Sequence, residues 1–174
     1  MSEFISVEIK GLDELVEKML EQGNRLDIKK ALDAGGGVVK AAMHDEAPSE
    51  AGGRKSDHLK NNILVKSKIK ASRGRTLVAA VVRIGPSTKP YPNSGTGKEG
   101  TVAFTTRSGK KVEFDSKNVG EVSFADVGRF LEFGTHGKYG SITPTPWMTQ
   151  AFEQSKNEAQ AKIIDKLKAA LGLT

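Results

Sequence analysis

The order of patterns along the 174 residues predicts an α+β protein, with an antiparallel sheet packed against N-terminal helices and a long C-terminal helix. Two observations carry this. Apolar residues recur at helical spacing near both ends, whereas the middle of the chain alternates or runs apolar over strand lengths. The resulting order is a strand, two helices, a run of strands, a short helix and a long helix, with no internal repeat or low-complexity tract.

The first strand is "FISVEIKG", in which Ile5, Val7 and Ile9 alternate. "GLDELVEKMLEQG" places Leu12, Leu15, Val16, Met19 and Leu20 at helical spacing, with Gly23 as the stop. A second helix over Asp27–Glu46 gathers Ile28, Leu32, Val38, Val39, Ala42 and Met43 on one side. It contains Gly35-Gly36-Gly37, each costing about 1 kcal/mol relative to Ala. Either the helix breaks there or a neighbour packs too closely for side chains, and close packing is the expectation.

"APSEAGGRKSD" reads as a Pro/Gly loop and "SDHLKNNI" as a single turn capped by Ser56. "ILVKSKIK" sets Ile63, Val65, Ser67 and Ile69 against Lys66, Lys68 and Lys70, a strand with one apolar and one lysine face. "TLVAAVVRIG" is a more buried strand. "PSTKPYPNSGTGKEG" is a loop. "TVAFTT" and "KKVEFD", joined by Arg107-Ser108-Gly109-Lys110, form a hairpin. On a single domain spanning 1–174, residues 86–122 are expected to be an arm carrying this hairpin. "EVSFADV" brings the chain back. Near the end, Thr145 is expected to cap a helix with Pro146 in its first turn. Met148, Ala151, Phe152, Ser155, Ala159, Ile163, Leu167 and Leu171 then share a face.

Composition narrows the classes of function. There is no Cys, which excludes a disulfide scaffold or a Cys-ligated zinc. No run approaches the ~18 apolar residues of a membrane span, and the N-terminus has no basic-then-apolar signal. A soluble protein of the cytosol, or of an assembly built there, is expected. The formal net charge is +6 and is unevenly spread. Residues 1–57 hold twelve acids and eight bases, whereas 58–98 hold nine bases and no acid. Such segregation points either to an anionic partner or to a solvated strand surface. The candidate face comprises Lys66, Lys68, Lys70, Arg73 and Arg75. Nonspecific single-strand binders interleave aromatics for stacking, and 58–90 contain none, so any nucleic acid would be held by its phosphates.

No catalytic, cofactor or metal site is expected. "GTGKEG" fits the glycine pattern of a dinucleotide loop at Gly95, Gly97 and Gly100, but lacks the preceding strand and following helix. "GGRKS" lacks the order of a phosphate loop. His44-Asp45-Glu46 and Asp57-His58 are clustered titratable residues, but consecutive helical positions diverge by about 100° and cannot converge on one ion. A hydrolase using His44 or His58 is the weakest of three functional readings.

"VGRFLEFGTH" (127–136) and "PTPWMTQAFE" (144–153), with the only Trp, concentrate the bulk of a lean core. As a helix the first turns Val127, Phe130, Leu131 and Phe133 inward, leaves Arg129 and Glu132 outside, and ends on a left-handed Gly134 before Thr135. The Pro-X-Pro corner at Pro146 drops Trp147 and Phe152 onto it.

"FLEFGT" followed by Pro-X-Pro, a large apolar residue and "AFE" resembles the tail-completion or neck proteins of long-tailed phages. This is the gene-product-ten-like group, related to lambda minor tail protein Z. "GLDELVEKM", Ala47-Pro48, "LKNNI" and "VVRIG" follow the same pattern in order, and 86–122 departs from it. The resemblance implies a noncatalytic virion protein of the neck, homo-oligomeric in place with a ring as one arrangement, that meets connector, stopper, terminator or tube proteins. It would be found in the host cytoplasm during assembly. The alternative is a basic module that holds nucleic-acid phosphates without reading sequence.

Overall fold

The computed structural model describes residues 5–6, 25–50, 58–71, 78–89, 91, 101–105, 111–115, 123–135 and 142–172. The elements in order are β1 (Ile5–Ser6), α1 (Arg25–Glu46), β2 (Ser49–Glu50), a 3-10 turn (Leu59–Asn62), β3 (Ile63–Ala71), β4 (Val78–Pro86), β5 (Thr101–Thr105), β6 (Lys111–Asp115), α2 (Phe124–Phe133) and α3 (Trp147–Ala170). The class is α+β. The helix expected over Leu12–Leu20 lies outside the described residues.

Two compact units divide the chain. The first comprises 1–41, 65–84 and 155–174; the second comprises 42–64 and 85–154.

The first unit holds a three-stranded sheet in the order β1-β4-β3. Antiparallel pairing sets Ile5 against Ile84 and Ser6 against Arg83. Along α1 the buried positions Ile28, Ala31, Leu32, Gly35 and Val39 make one helical stripe. In α3 every fourth residue is buried, and Ser155, Ala159, Ile163 and Leu167 belong to this unit. The glycine run does not break α1. A Cβ on Gly35 would lie 2.9 Å from the Ala159 carbonyl oxygen and 2.6 Å from Ile163 Cδ1. A Cβ on Gly36 would lie 2.6 Å from Val65 and 3.0 Å from Val82. Successive helical residues point about 100° apart, so Gly35 admits α3 and Gly36 admits the sheet. Gly37 has nothing within 4 Å.

The second unit holds the sheet β2-β5-β6. β5 and β6 form the expected hairpin, with Val102 opposite Phe114 and Phe104 opposite Val112. Its other edge is paired to β2, Ser49 against Thr105 and Glu50 against Phe104. Ser49-Glu50 lies in the stretch expected to be a loop, because two residues show no periodicity. The single turn before β3 begins at Leu59; the residue at its N-cap is His58, which makes no side-chain cap, and Ser56, the expected cap, lies outside the described residues. At its other end Asn62 donates from Nδ2 back to the His58 carbonyl at 2.9 Å.

Within the segment expected to be an arm, Pro86, Ser87 and Tyr91 are buried. Ser87 N–H donates to Asn62 O at 2.8 Å, and the Ser87 carbonyl accepts from Ala125 at 2.9 Å. Tyr91 is buried and meets Phe124 edge to face, with centroids 5.1 Å apart.

Candidate functional site: the clasp between α2 and α3

The most distinctive residues of the chain converge in the second unit, where α2 meets the start of α3. α2 begins at a capping box. Ser123 Oγ accepts from Asp126 N–H at 3.2 Å, and Asp126 Oδ2 accepts from Ser123 N–H at 3.0 Å and from its hydroxyl at 2.7 Å. Arg129 donates to Asp126 Oδ1 at 3.2 Å. Partial burial works against the Asp126 charge, but the bonds from Ser123 and the nearby Arg129 outweigh it. The carboxyl is held below its ordinary value of 3.8.

From this start the inner stripe of α2 is Phe124, Val127, Gly128, Leu131 and Glu132, all buried. Two expectations are corrected. Glu132 is not outside with Arg129 but is 3% exposed, and Phe133 is not inside but is 56% exposed. The positions i, i+3, i+4, i+7 and i+8 counted from Phe124 end on Glu132, and Phe133 falls one step round the helix. Phe130 and Phe152 are half-buried, so they flank the contact rather than fill it.

Glu132 is inside because α3 needs it there. A helix begins with backbone N–H groups that have no partner within the helix. α3 starts at Trp147, directly after Pro146, whose side chain can accept nothing. Thr145 does not cap the helix, and Pro146 stands just before its first turn. Glu132 takes the capping role from a distance, accepting from Met148 N–H at 2.7 Å, Thr149 N–H at 3.0 Å and Thr149 Oγ1 at 2.5 Å. A buried carboxylate with three donors at a helix N-terminus is well compensated.

Trp147 completes the clasp. It is 1% exposed, and its indole Nε1 donates to the Gly128 carbonyl at 3.3 Å. A Cβ on Gly128 would lie 2.6 Å from Pro86 Cγ and 3.5 Å from Trp147 Cζ2, so the bare backbone makes room for both. Thr145 N–H donates to Leu131 O at 2.7 Å. Gly134 has φ 75° and ψ 174°. This is the glycine-favouring half of the map, but with extended ψ rather than the expected left-handed turn. It lets Thr135 and Ile142 exchange backbone hydrogen bonds at 3.1 and 3.0 Å.

Two signals in the sequence mark this site: the S-x-x-D of Ser123–Asp126, which fixes the start of α2, and Gly128 in mid-helix, which marks a close approach. On the basic strand, Lys66 and Lys68 are exposed while Val65, Ser67 and Ile69 are half-buried. Lys70 lies in β3, whereas Arg73 and Arg75 lie outside the described residues. So do Gly95, Gly97, Gly100, Arg54, Lys55 and Asp57. His44 Nδ1 lies 3.4 Å from Asp45 Oδ1, and both side chains are exposed. Among the described residues no group of three or more His, Asp or Glu could hold a metal ion. No helix among them is long and apolar enough to cross a membrane.

The clasp thus joins α2 to the start of α3 through the single Trp of the chain and one buried glutamate. Residues 10–134 match the family described as "Bacteriophage HK97-gp10, putative tail-component". The match covers more than two-thirds of the 174 residues, and the chain belongs to this family of phage tail components. No curated protein and no solved structure matches it. The matched segment includes α2 with Gly128 and Glu132 and ends at Gly134, before Trp147. A tail component is a structural protein of the virion whose neighbours are other tail proteins.

Proposed function

We propose that this tail component is noncatalytic and acts at the upper end of the tail, completing it and supporting its joining to the head. It would act as a homo-oligomer in the neck. The observation that carries this reading is the use of the motif "FLEFGT…PTPW". Its polar residue Glu132 is consumed by capping α3, and its Trp by the Gly128 carbonyl, so the motif holds the fold together and leaves no reactive group displayed. Family membership supports the tail setting, and the sequence resemblance to neck proteins supports the position within it.

The test is complementation of a phage lacking the gene. Filled heads and full-length tails should accumulate separately under the electron microscope, and purified protein added to the mixture should restore infectious particles. Joined particles without the protein, or tails that fail to reach full length, would overturn the reading. His44→Ala and His58→Ala should complement like the wild type. For the hairpin β5–β6 we propose a contact with a neighbouring tail protein. Replacing residues 93–121 by a Gly/Ser linker should leave one cooperative thermal transition but abolish joining. Loss of that transition would make the hairpin part of the core instead.

A further inference from the structure

We infer that the outer face of the β1-β4-β3 sheet holds the sugar–phosphate backbone of duplex nucleic acid without reading its sequence. This deepens the tail reading and rests on it only for the source of the nucleic acid.

The face follows from the strand period. The side chains of Val65 on β3 and Val82 on β4 both approach Gly36 of α1. Their neighbours in sequence therefore point away from the helix. These are Lys66, with Lys68 two residues on, and Arg83 on the adjacent strand, and all three are exposed. Among the described residues an acid meets β3 from the helix side: Asp33 of α1 accepts from Ser67 Oγ at 2.7 Å. In sequence, 58–98 contribute nine bases and no acid. Lys66 and Lys68 stand roughly 6.7 Å apart along the strand, about twice the axial rise between phosphates of one DNA strand.

The chemistry favours a phosphate backbone over an acidic protein. Protein interfaces are depleted in Lys and centre on aromatic or apolar anchors. This face presents lysines, and residues 58–90 have no aromatic. The same lack of aromatics disfavours single strands, which are bound by stacking. What remains is exposed positive charge, which suits phosphates and carries no base information.

The test uses the purified full chain and short labelled duplexes of unrelated sequence, followed by fluorescence anisotropy between about 50 and 200 mM salt. Affinity should be the same for all sequences and fall steeply with salt. Lys66→Gln with Lys68→Gln should make the log–log salt slope shallower by about 1.8, and Arg83→Gln by about a further 0.9. An unchanged slope in these variants, a preference for one sequence, or equal competition by polyglutamate at matched charge would overturn the inference. The last result would point to an acidic protein partner. If the variants fail to fold, lysine acetylation of the wild type serves instead. Duplex should protect Lys66 and Lys68 but not the exposed Lys162 and Lys166 of α3, and equal reactivity with and without duplex would refute the contact. Absence of duplex binding by the wild-type chain, with normal head–tail joining, would refute this inference alone. Retained binding by a protein that tails do not need would refute the tail reading alone.

Discussion

Two helix contacts in this chain are made by opposite means. In the first unit, α1 and α3 meet where side chains are missing: Gly35 exposes its backbone to the Ala159 carbonyl and the Ile163 side chain. In the second, α2 and α3 meet through the bulkiest side chain of the chain and a buried charge, Trp147 against Gly128 and Glu132 against the free N–H groups of α3. The glycine seam depends on shape alone, because close-packed backbones have no slack for an added methyl group. The clasp depends on shape and on directed hydrogen bonds, which also fix where α3 begins. The seam should therefore fail by overpacking, and the clasp by emptying or by losing a polar partner.

The largest expected effect is at Trp147. Trp147→Ala removes a fully buried aromatic and a hydrogen bond, and such truncations cost roughly 3–5 kcal/mol. That is a large part of the stability of an ordinary domain. Phe133→Ala, in the same motif, should stay within about 0.5 kcal/mol because the ring is mostly exposed. Urea denaturation of the two variants checks the contrast. Similar losses would mean that Phe133 is covered in solution.

Next comes Glu132→Ala, which leaves two backbone donors and a hydroxyl without their acceptor. A cost of about 2–3 kcal/mol is expected. Glu132→Gln keeps one good acceptor oxygen and should lose less. Amide hydrogen exchange gives the local check: Met148 and Thr149 should lose protection in the Ala variant before the rest of α3 does. Unchanged exchange at these two amides would mean that α3 starts correctly without the remote cap.

How much of this was legible depends on which kind of signal each element leaves. The period-2 run of β3 and the every-fourth-residue row of α3 are written in residue type, and the hairpin β5–β6 is marked by its turn. The motif around Phe130–Thr135 and Trp147 stood out because it spends rare residues. Its internal roles did not, since residue type places a glutamate outside and a phenylalanine inside by default. Only a count begun at the Ser123 cap puts Glu132 on the inner stripe, and only the unsatisfied start of α3 gives it a reason to be there. Gly35 to Gly37 look alike in sequence. Two admit neighbours and one does not, a difference made wholly by tertiary contacts.

That difference offers a test of the seam in which the signs should be opposite. Gly35→Ala forces a methyl group against the Ala159 backbone, and overpacking of this kind typically costs about 1–3 kcal/mol. Gly37→Ala meets nothing and gains helix propensity, about 0.5–1 kcal/mol of added stability. Thermal denaturation should show the midpoint falling for the first and rising for the second. Two rises would mean that α1 and α3 are not in close contact at Gly35.

The smallest effect separates the polar contacts of the second unit from the glycine seam by pH. Asp126 is held below its ordinary value, so its sign is that of a depressed acid. Its contribution is fully present above the unfolded-state value of about 4 and is lost as pH falls through the lower folded-state value. Ser123→Ala removes the reciprocal cap, at about 1 kcal/mol near neutrality. Asp126→Asn keeps an acceptor for Ser123 N–H but cannot titrate. The stability gap between wild type and Asp126→Asn should be widest above about pH 5 and should narrow steadily in acid. Gly35→Ala, which touches no titrating group, should keep a constant gap over the same range. Denaturant midpoints taken across the acid range for the three variants decide the matter. A gap for Asp126→Asn that stays constant in acid would show that the cap at α2 works by shape, as the glycine seam does, and not by charge.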